Sequence, residues 1–204
     1  MDVIAAPSTA KGQATRDRLV TAARAEAIRT GGHVEVVAVA RAAGVVPSLI
    51  NRYFGTKAGL VCAVVDAFFD RLEAEVLDLD LDDHGTWAEH ERLRLRKGVA
   101  FHYADPFAVV LYGQLTRDPA VARRETERIE RIIHHSAVTV RRHQRAGELP
   151  ATVDPELAGA AMFGAMRQVV AAALRRTPRP DPAALVELLW RQVAASVDLD
   201  PGDA

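Results

Sequence analysis

The stretch GVVPSLINRYFGTKAGL, from Gly44 to Leu60, decides the fold. It places Tyr53 and Phe54 between Arg52 and Lys57, although the whole chain has only 6 Phe, 3 Tyr and 2 Trp. A buried core does not need the two cations, and a solvated helix does not need the two aromatic rings. The mixture therefore indicates one element that packs on a core through one face and leaves the other face for a partner.

Composition bounds the class of protein. With 204 residues, 49% hydrophobic and 26% charged, the chain is typical of a soluble globular protein of one or two domains. No apolar run approaches the roughly 20 residues that span a bilayer. The N-terminus lacks the pattern of a secretory signal and is predicted to be a flexible arm over residues 1–14. The single Cys62 excludes an internal disulfide framework and favours a cytoplasmic protein.

The net charge of −1 hides an uneven distribution. Residues 11–57 carry eight Lys and Arg against three Asp and Glu, a net charge of +5. The rest of the chain carries 18 cations against 24 anions, a net charge of −6. The asymmetry suggests a basic head that meets an anion, although an excess of this size also occurs as ordinary surface variation.

Apolar residues recur at helical spacing along the chain and predict an all-α fold of about nine helices. Thr15 is the expected cap of the first helix, and Gly31-Gly32 its stop. The segment VEVVAVARAAG could form a strand, but its alanines and final glycine favour a helix. Asp-Pro pairs mark the later starts, because Asp caps a helix and Pro suits its first turn. The expected helices are 15–30, 36–42, 47–53, 56–77, 86–103, 106–115, 119–146, 155–176 and 182–197, with an acidic loop at 77–85.

The second and third helices are joined by a tight turn at residues 43–45, which is helix-turn-helix spacing. Ile50 and Phe54 lie four residues apart and share the face that would pack on a core. The other face presents side chains that read bases, since Asn pairs with adenine and Arg with guanine in the major groove. The candidate DNA-binding residues are Pro47, Ser48, Leu49, Asn51, Arg52, Tyr53, Thr56 and Lys57.

These residues resemble the TetR family of bacterial transcriptional regulators. The similarity runs from Thr15 to Leu72 and rests on the Gly31 break, on VARAAGV at 39–45, and on Pro47, Tyr53-Phe54, Lys57 and Leu60. The resemblance implies a DNA-binding domain over residues 15–58 and a helical ligand-binding and dimerisation domain over residues 59–204. It also implies a homodimer on a palindromic double-stranded DNA operator, most often a repressor that a small hydrophobic molecule releases.

By position, the resemblance assigns Ser48, Leu49, Asn51 and Arg52 to base edges, and Tyr53, Thr56 and Lys57 to the DNA backbone. The chain departs from the family pattern at several positions. Asn51 replaces a common Tyr, Leu49 a common Thr and Val46 a capping Ser or Thr, while the second helix begins with the run Glu35-Val36-Val37-Ala38. These departures leave open the operator sequence and whether the second helix contacts DNA.

The last two helices are rich in Ala, Gly and Leu, and the resemblance implies that they pair with their copies in a dimer; packing within one subunit is the alternative. Aromatic and Met side chains suit a hydrophobic ligand, although the same pattern also fits plain core. The candidate pocket residues are Phe68, Phe101, Tyr103, Phe107, Tyr112, Met162 and Met166. No metal or cofactor is predicted, because His84 and His90 near Asp82 and Asp83 fit solvated side chains better than a metal site.

Two other classes of function are alternatives to a regulator. An all-α enzyme lacks support, since the chain has no Gly-rich phosphate loop, HExxH or GxSxG pattern, and Cys62 has no histidine near it in sequence. The remaining alternative is a helical small-molecule or protein-binding module that does not bind DNA.

Overall fold

The computed structural model describes residues 9–79 and 85–202, and these residues form nine α-helices and no strand. The prediction of an all-α fold is therefore confirmed. The helices are α1 (Ala10–Thr30), α2 (Val36–Ala42), α3 (Ser48–Phe54), α4 (Lys57–Leu72), α5 (Trp87–Ala104), α6 (Pro106–Gly113), α7 (Pro119–Arg145), α8 (Pro155–Leu174) and α9 (Pro182–Ser196). A π-helical turn at Glu73–Leu77 follows α4, and a 3-10 turn at Leu115–Arg117 follows α6.

The Asp-Pro pairs begin helices as predicted. Asp118, Asp154 and Asp181 each precede a proline that begins a helix, and their carboxylates accept first-turn backbone N–H groups at 2.8–3.3 Å. These bonds satisfy donors that have no partner inside the helix. At the fourth pair the helix α6 also begins at the proline, Pro106, and the preceding Asp105 is buried and follows the last residue of α5.

The first helix begins earlier than predicted. Thr9 caps it by accepting the N–H of Gly12 at 3.1 Å, whereas Thr15 is buried inside the helix and donates its hydroxyl to the Lys11 carbonyl at 2.9 Å. Thr15 as the cap was therefore wrong, and residues 10–14 of the predicted arm are helical. The stop at Gly31 is confirmed, with φ at 68°.

Two predicted segments lie partly outside the described residues. These are residues 1–8 of the arm and residues 80–84 of the acidic loop, with Asp82, Asp83 and His84. Leu77, where that loop was expected to begin, ends the π-helical turn instead.

The chain divides into two compact units, the first made of residues 1–71 and 106–126. Its core includes an aromatic cluster in which Phe68 lies 5.6 Å from Phe69, 5.8 Å from Phe107 and 6.4 Å from Tyr112, measured between ring centroids. Arg124 at the start of α7 binds both carboxylate oxygens of Asp66 on α4, at 2.8 and 2.9 Å. The predicted pocket residues Phe68, Phe107 and Tyr112 thus pack against one another in this unit.

The second unit comprises residues 72–105 and 127–204. Trp87 and Trp190 are fully buried in it with ring centroids 6.2 Å apart, and they join the start of α5 to α9. The Trp190 indole N–H donates to the Pro201 carbonyl at 3.1 Å, which holds Pro201 on this core. The compact units differ from the functional domains expected from sequence, whose boundary between residues 58 and 59 stays a prediction.

By length and composition, α8 is the one described helix that could cross a membrane. An 18-residue window of it has a mean hydropathy of 1.5, with 39% of that window buried. The expectation that no apolar run approaches membrane-spanning length is thereby corrected. A single helix of this kind is weak evidence for a membrane protein, because core helices of soluble proteins pass the same test.

His102 makes the stability of the second unit depend on pH. It is 3% exposed, and its Nδ1–H donates to the Gly98 carbonyl at 2.6 Å. Burial lowers the pKa of His102 below the ordinary histidine value of about 6.5, against opposing contributions from Gly98 and Asp105. The unfolded chain then binds a proton that the folded chain excludes, so this stability is present above about pH 6.5 and is lost as the pH falls.

We expect His102→Gln to reduce the slope of unfolding free energy against pH below about pH 6.5, by up to about 1.4 kcal/mol per pH unit. Chemical denaturation at several pH values measures this slope. His33→Gln is the control, because that side chain is 68% exposed. Equal slopes in wild type and His102→Gln would show that His102 is not the responsible group.

Candidate nucleic-acid interface and internal cavity

The turn between α2 and α3 sets the direction of α3. Gly44 has φ at 67°, a conformation that favours glycine, and the N–H of Val45 donates back to the Ala40 carbonyl at 3.0 Å. Ala43, which precedes the glycine, is buried. The chain thus reverses within three residues, the local geometry of a helix-turn-helix.

The helix α3 divides its side chains between core and surface. Ile50 is fully buried and Phe54 is 9% exposed, so both hold the helix on the first compact unit. The guanidinium of Arg16 on α1 lies 5.3 Å from the centroid of the Phe54 ring and adds a cation–π contact. Among the predicted DNA-binding residues between 47 and 53, Pro47, Ser48, Asn51 and Arg52 are exposed, whereas Leu49 and Tyr53 are half-buried.

The corner between α3 and α4 brings the remaining candidates beside this surface. The Thr56 hydroxyl oxygen accepts the N–H of Gly59 at 3.0 Å and caps α4. Thr56 and Lys57 are both exposed, so a hydroxyl and an ammonium stand at the first turn of a 16-residue helix. Donors at such a position suit an anion, because the dipole of the helix adds to their charge.

Gly59 is required by the close approach of two backbones at this corner. A Cβ built on Gly59 would lie 2.1 Å from the carbonyl oxygen of Phe54. The obstructing atom belongs to the backbone of α3, so a side-chain movement cannot relieve the contact. The position of α3 relative to α4 therefore depends on the absence of a side chain at residue 59.

Charge on the first unit is partly neutralised away from α3. Arg29 binds both oxygens of Glu26 at 2.8 and 2.9 Å, and this bond lowers the pKa of Glu26. At the start of α2, the Nε2 atom of His33 lies 3.5 Å from a carboxylate oxygen of Glu35. The exposed side chains there are the acidic Glu35 and the apolar Val37. On α3 and the corner that follows it, the basic side chains are Arg52 and Lys57, and both are exposed.

The second unit contains a cavity of about 70 Å³ that is partly open to solvent. The predicted pocket residues Met162 and Met166 line this cavity, together with Phe163. The candidates Phe101 and Tyr103 do not line it. Phe101 is buried elsewhere, and the Tyr103 hydroxyl donates to the Pro180 carbonyl at 3.0 Å. The wall also includes Trp87, Glu91 and Arg94, which the choice of aromatic and Met candidates missed. Their spacing along α5 could have indicated them, because residues 87, 91, 94 and 95 fall on one helical face.

In the described ranges, no group of three or more His, Cys, Asp or Glu side chains could hold a metal ion.

The chain is similar to known proteins both in sequence and in structure. Residues 19–64 match the family described as bacterial regulatory proteins, tetR family. No curated protein matches the chain by sequence.

Three solved structures illustrate the similarity. One is described as a TetR-family transcriptional regulator from Mesorhizobium loti, with 20% identity, coverage of 94% of this chain and 98% of that one, and a TM-score of 0.71. FadR from Bacillus subtilis, solved with stearoyl-CoA, has 18% identity, coverage of 89% and 98%, and a TM-score of 0.71. SmeT, the repressor of the Stenotrophomonas maltophilia efflux pump SmeDEF, has 17% identity, 90% coverage of both chains and a TM-score of 0.73. At these identities the likeness shows the fold.

We expect Gly59→Ala to destabilise the first unit by about 1–3 kcal/mol, the usual range for forcing an extra methyl group into a packed site. Gly113→Ala is the matched control, because a Cβ there meets nothing within 4 Å. Urea denaturation followed by circular dichroism measures both variants. If Gly59→Ala is as stable as Gly113→Ala, the close contact with Phe54 does not constrain the corner.

Proposed function

The chain belongs, through residues 19–64, to the tetR family of bacterial regulatory proteins, and from that premise we propose a regulator that binds duplex DNA as a homodimer. TetR-family regulators are generally non-enzymatic transcription factors of the cytoplasm, and the proposal needs no catalytic group. Its palindromic operator would mirror the two-fold symmetry of the dimer.

The observation that carries the proposal is the division of α3 into a buried face and a reading face. Ile50 and Phe54 are buried, while Ser48, Asn51 and Arg52 are exposed on the same seven-residue helix. In the major groove, Asn51 would pair with adenine and Arg52 with guanine. Each such pair discriminates against the wrong base by about 1–3 kcal/mol.

Backbone contacts would come from the residues around the reading helix. Tyr53, Thr56 and Lys57 carry the hydroxyl and ammonium groups that bind phosphates, and the first turn of α4 adds N–H groups. The start of α2 is a poor phosphate site, because Glu35 is an exposed anion and Val37 is 61% exposed. We therefore place the phosphate contacts mainly at the corner between α3 and α4.

The dimer interface would be formed by α8 and α9. Two leucines are exposed on these helices, Leu157 on α8 at 70% and Leu188 on α9 at 38%. The small residues Ala161 and Gly164 are also exposed, on the same face of α8 as Leu157. Small side chains let helices approach closely, and exposed leucines gain free energy when a second copy covers them. This surface supports pairing between two chains.

The cavity in the second unit would receive a small hydrophobic effector. We propose repression relieved by this effector, which requires that the effector bind better to an arrangement of the dimer that does not fit the operator.

A second candidate function is a helical binding module that does not bind DNA. The acidic and apolar start of α2 favours it, because the first helix of a helix-turn-helix usually crosses the DNA backbone. Retention on heparin at low salt separates the two functions, since only the DNA-binding regulator requires it.

We expect Arg52→Ala and Lys57→Ala to affect DNA binding differently. Arg52→Ala should reduce the preference for the operator over random duplex about tenfold or more, since the lost contact is to a base. Lys57→Ala should weaken all duplexes alike and reduce the slope of log affinity against log salt by about one. Fluorescence anisotropy at several salt concentrations measures both effects.

Operator fragments for this measurement can be selected from genomic DNA with the purified protein. An Arg52→Ala protein with unchanged selectivity would contradict the reading role of α3. Failure of the wild-type protein to bind any duplex would contradict the proposed function as a whole.

We expect Leu188→Glu to weaken the homodimer about tenfold or more, because it would place a charge in a desolvated interface. Val109→Glu is the matched control, since Val109 on α6 is also an apolar side chain, 37% exposed, outside the proposed interface. Sedimentation equilibrium measures the dissociation constant. A dimer that tolerates Leu188→Glu as well as Val109→Glu would place the interface elsewhere.

A further inference from the structure

The cavity in the second unit has a charged pair in an otherwise apolar wall. Its apolar part includes Val76, Leu95, Ile132, Met162 and Val193. Glu91 and Arg94 line the same space with side chains only 10% and 14% exposed, and Arg94 Nη1 donates to Glu91 Oε1. Burying two charges costs free energy that one ion pair does not always recover, so packing alone is a poor reason for this pair.

Arg94 retains hydrogen-bonding capacity that the protein does not use. Within the described residues its single hydrogen-bond partner is Glu91, and the bond occupies one of the five N–H groups of the guanidinium. Ser136 on α7, whose hydroxyl can donate, lines the same cavity. The one carboxylate in the wall, that of Glu91, already accepts from Arg94. The cavity therefore offers an excess of donors beside an apolar space.

We propose that this cavity binds a short-chain monocarboxylic acid, with the carboxylate on Arg94 and the apolar tail among Leu95, Ile132 and Met162. A carboxylate matches the planar fork of a guanidinium and forms charge-assisted hydrogen bonds with it. This assignment rests on the proposed function, because it names the chemical class of the effector.

The volume limits the length of the tail. A cavity of roughly 150 Å³ holds a benzene ring, and the cavity here is about 70 Å³. A tail of about three to five carbons is thus expected to fit best, with some movement of the flexible Met side chains. Longer acyl chains would extend beyond this space.

Removing the charge of Glu91 is expected to change the affinity for the acid in the opposite direction to removing the charge of Arg94. Its carboxylate occupies part of the guanidinium and repels a second carboxylate nearby. Glu91→Gln should therefore strengthen binding of the acid, whereas Arg94→Gln should weaken it. An amine ligand would show the reverse pattern, because Glu91 would then be its partner.

The test is calorimetric titration of the full-length protein, without DNA, using pentanoate, 1-pentanol and pentylamine. These probes share one tail and differ in the head group. We expect pentanoate to bind about tenfold or more tightly than 1-pentanol, with pentylamine weakest, and affinity along the series from propanoate to octanoate to pass through a maximum. Equal affinity of pentanoate and 1-pentanol, or tighter binding of pentylamine, would overturn the proposal.

The variants assign the contact to Arg94. Arg94→Gln should remove the preference for pentanoate over 1-pentanol, and Arg94→Lys, which keeps the charge without the fork, should retain part of it. Arg96→Gln is the matched control, because Arg96 is exposed on the same helix and should leave the preference unchanged. Loss of the preference in Arg96→Gln, or its persistence in a folded Arg94→Gln protein, would refute the assignment.

Because the titration contains no DNA, its outcome is independent of operator binding. If pentanoate binds but does not release the operator, the site stands and release by this effector fails. If the operator binds and no carboxylate does, the site assignment alone fails.

Discussion

The proposed duplex-binding surface depends on one constraint, which is that α3 must be held in place by two buried side chains. A helix of seven residues is not stable by itself in water, so its position comes from packing. Ile50 and Phe54 supply that packing, and Gly59 allows the backbone of α4 to approach the end of α3. Because only these two side chains of α3 are buried in the core, Ser48, Asn51 and Arg52 stay exposed.

This constraint explains why the buried and exposed faces of α3 could be predicted from sequence. A segment that must both dock and bind an anion needs apolar and cationic residues within one or two turns, and such a mixture is rare in either a core or a plain surface. The helix starts at Asp118, Asp154 and Asp181 were predictable for a similar reason, since the cap and the first-turn proline are adjacent in the chain. The start of α1 was missed because Thr9 and Thr15 both suit a cap, and the polar run between them has no apolar periodicity.

The cavity was predicted less well, because its candidates were chosen by residue type. Phe68, Phe107 and Tyr112 are aromatic, but in the first unit the Phe68 ring packs against the rings of the other two. Glu91 and Arg94 are charged and so fall outside a choice of aromatic and Met side chains, although their spacing from Trp87 and Leu95 places all four on one face of α5. Helical spacing was the better guide here, since a side chain on the inward face of a helix is buried whatever its chemistry.

The charged pair in the cavity wall also determines which kind of ligand could release the protein from DNA. Release requires a ligand that prefers one arrangement of the protein, and a hundredfold effect needs a difference of about 2.7 kcal/mol. A short apolar tail gains nearly the same free energy in any arrangement that keeps the apolar wall around it. Hydrogen bonds to a guanidinium depend far more on geometry.

Glu91 and Arg94 lie three residues apart on α5, so their mutual contact is kept when that helix moves as a rigid body. A ligand anchored on Arg94 instead reaches across to Ile132 and Ser136 on α7 and to Met162 on α8. Its affinity therefore changes with the position of α5 relative to those helices within the second unit. The buried pair would thus serve less to stabilise the fold than to make ligand binding sensitive to the packing of three helices.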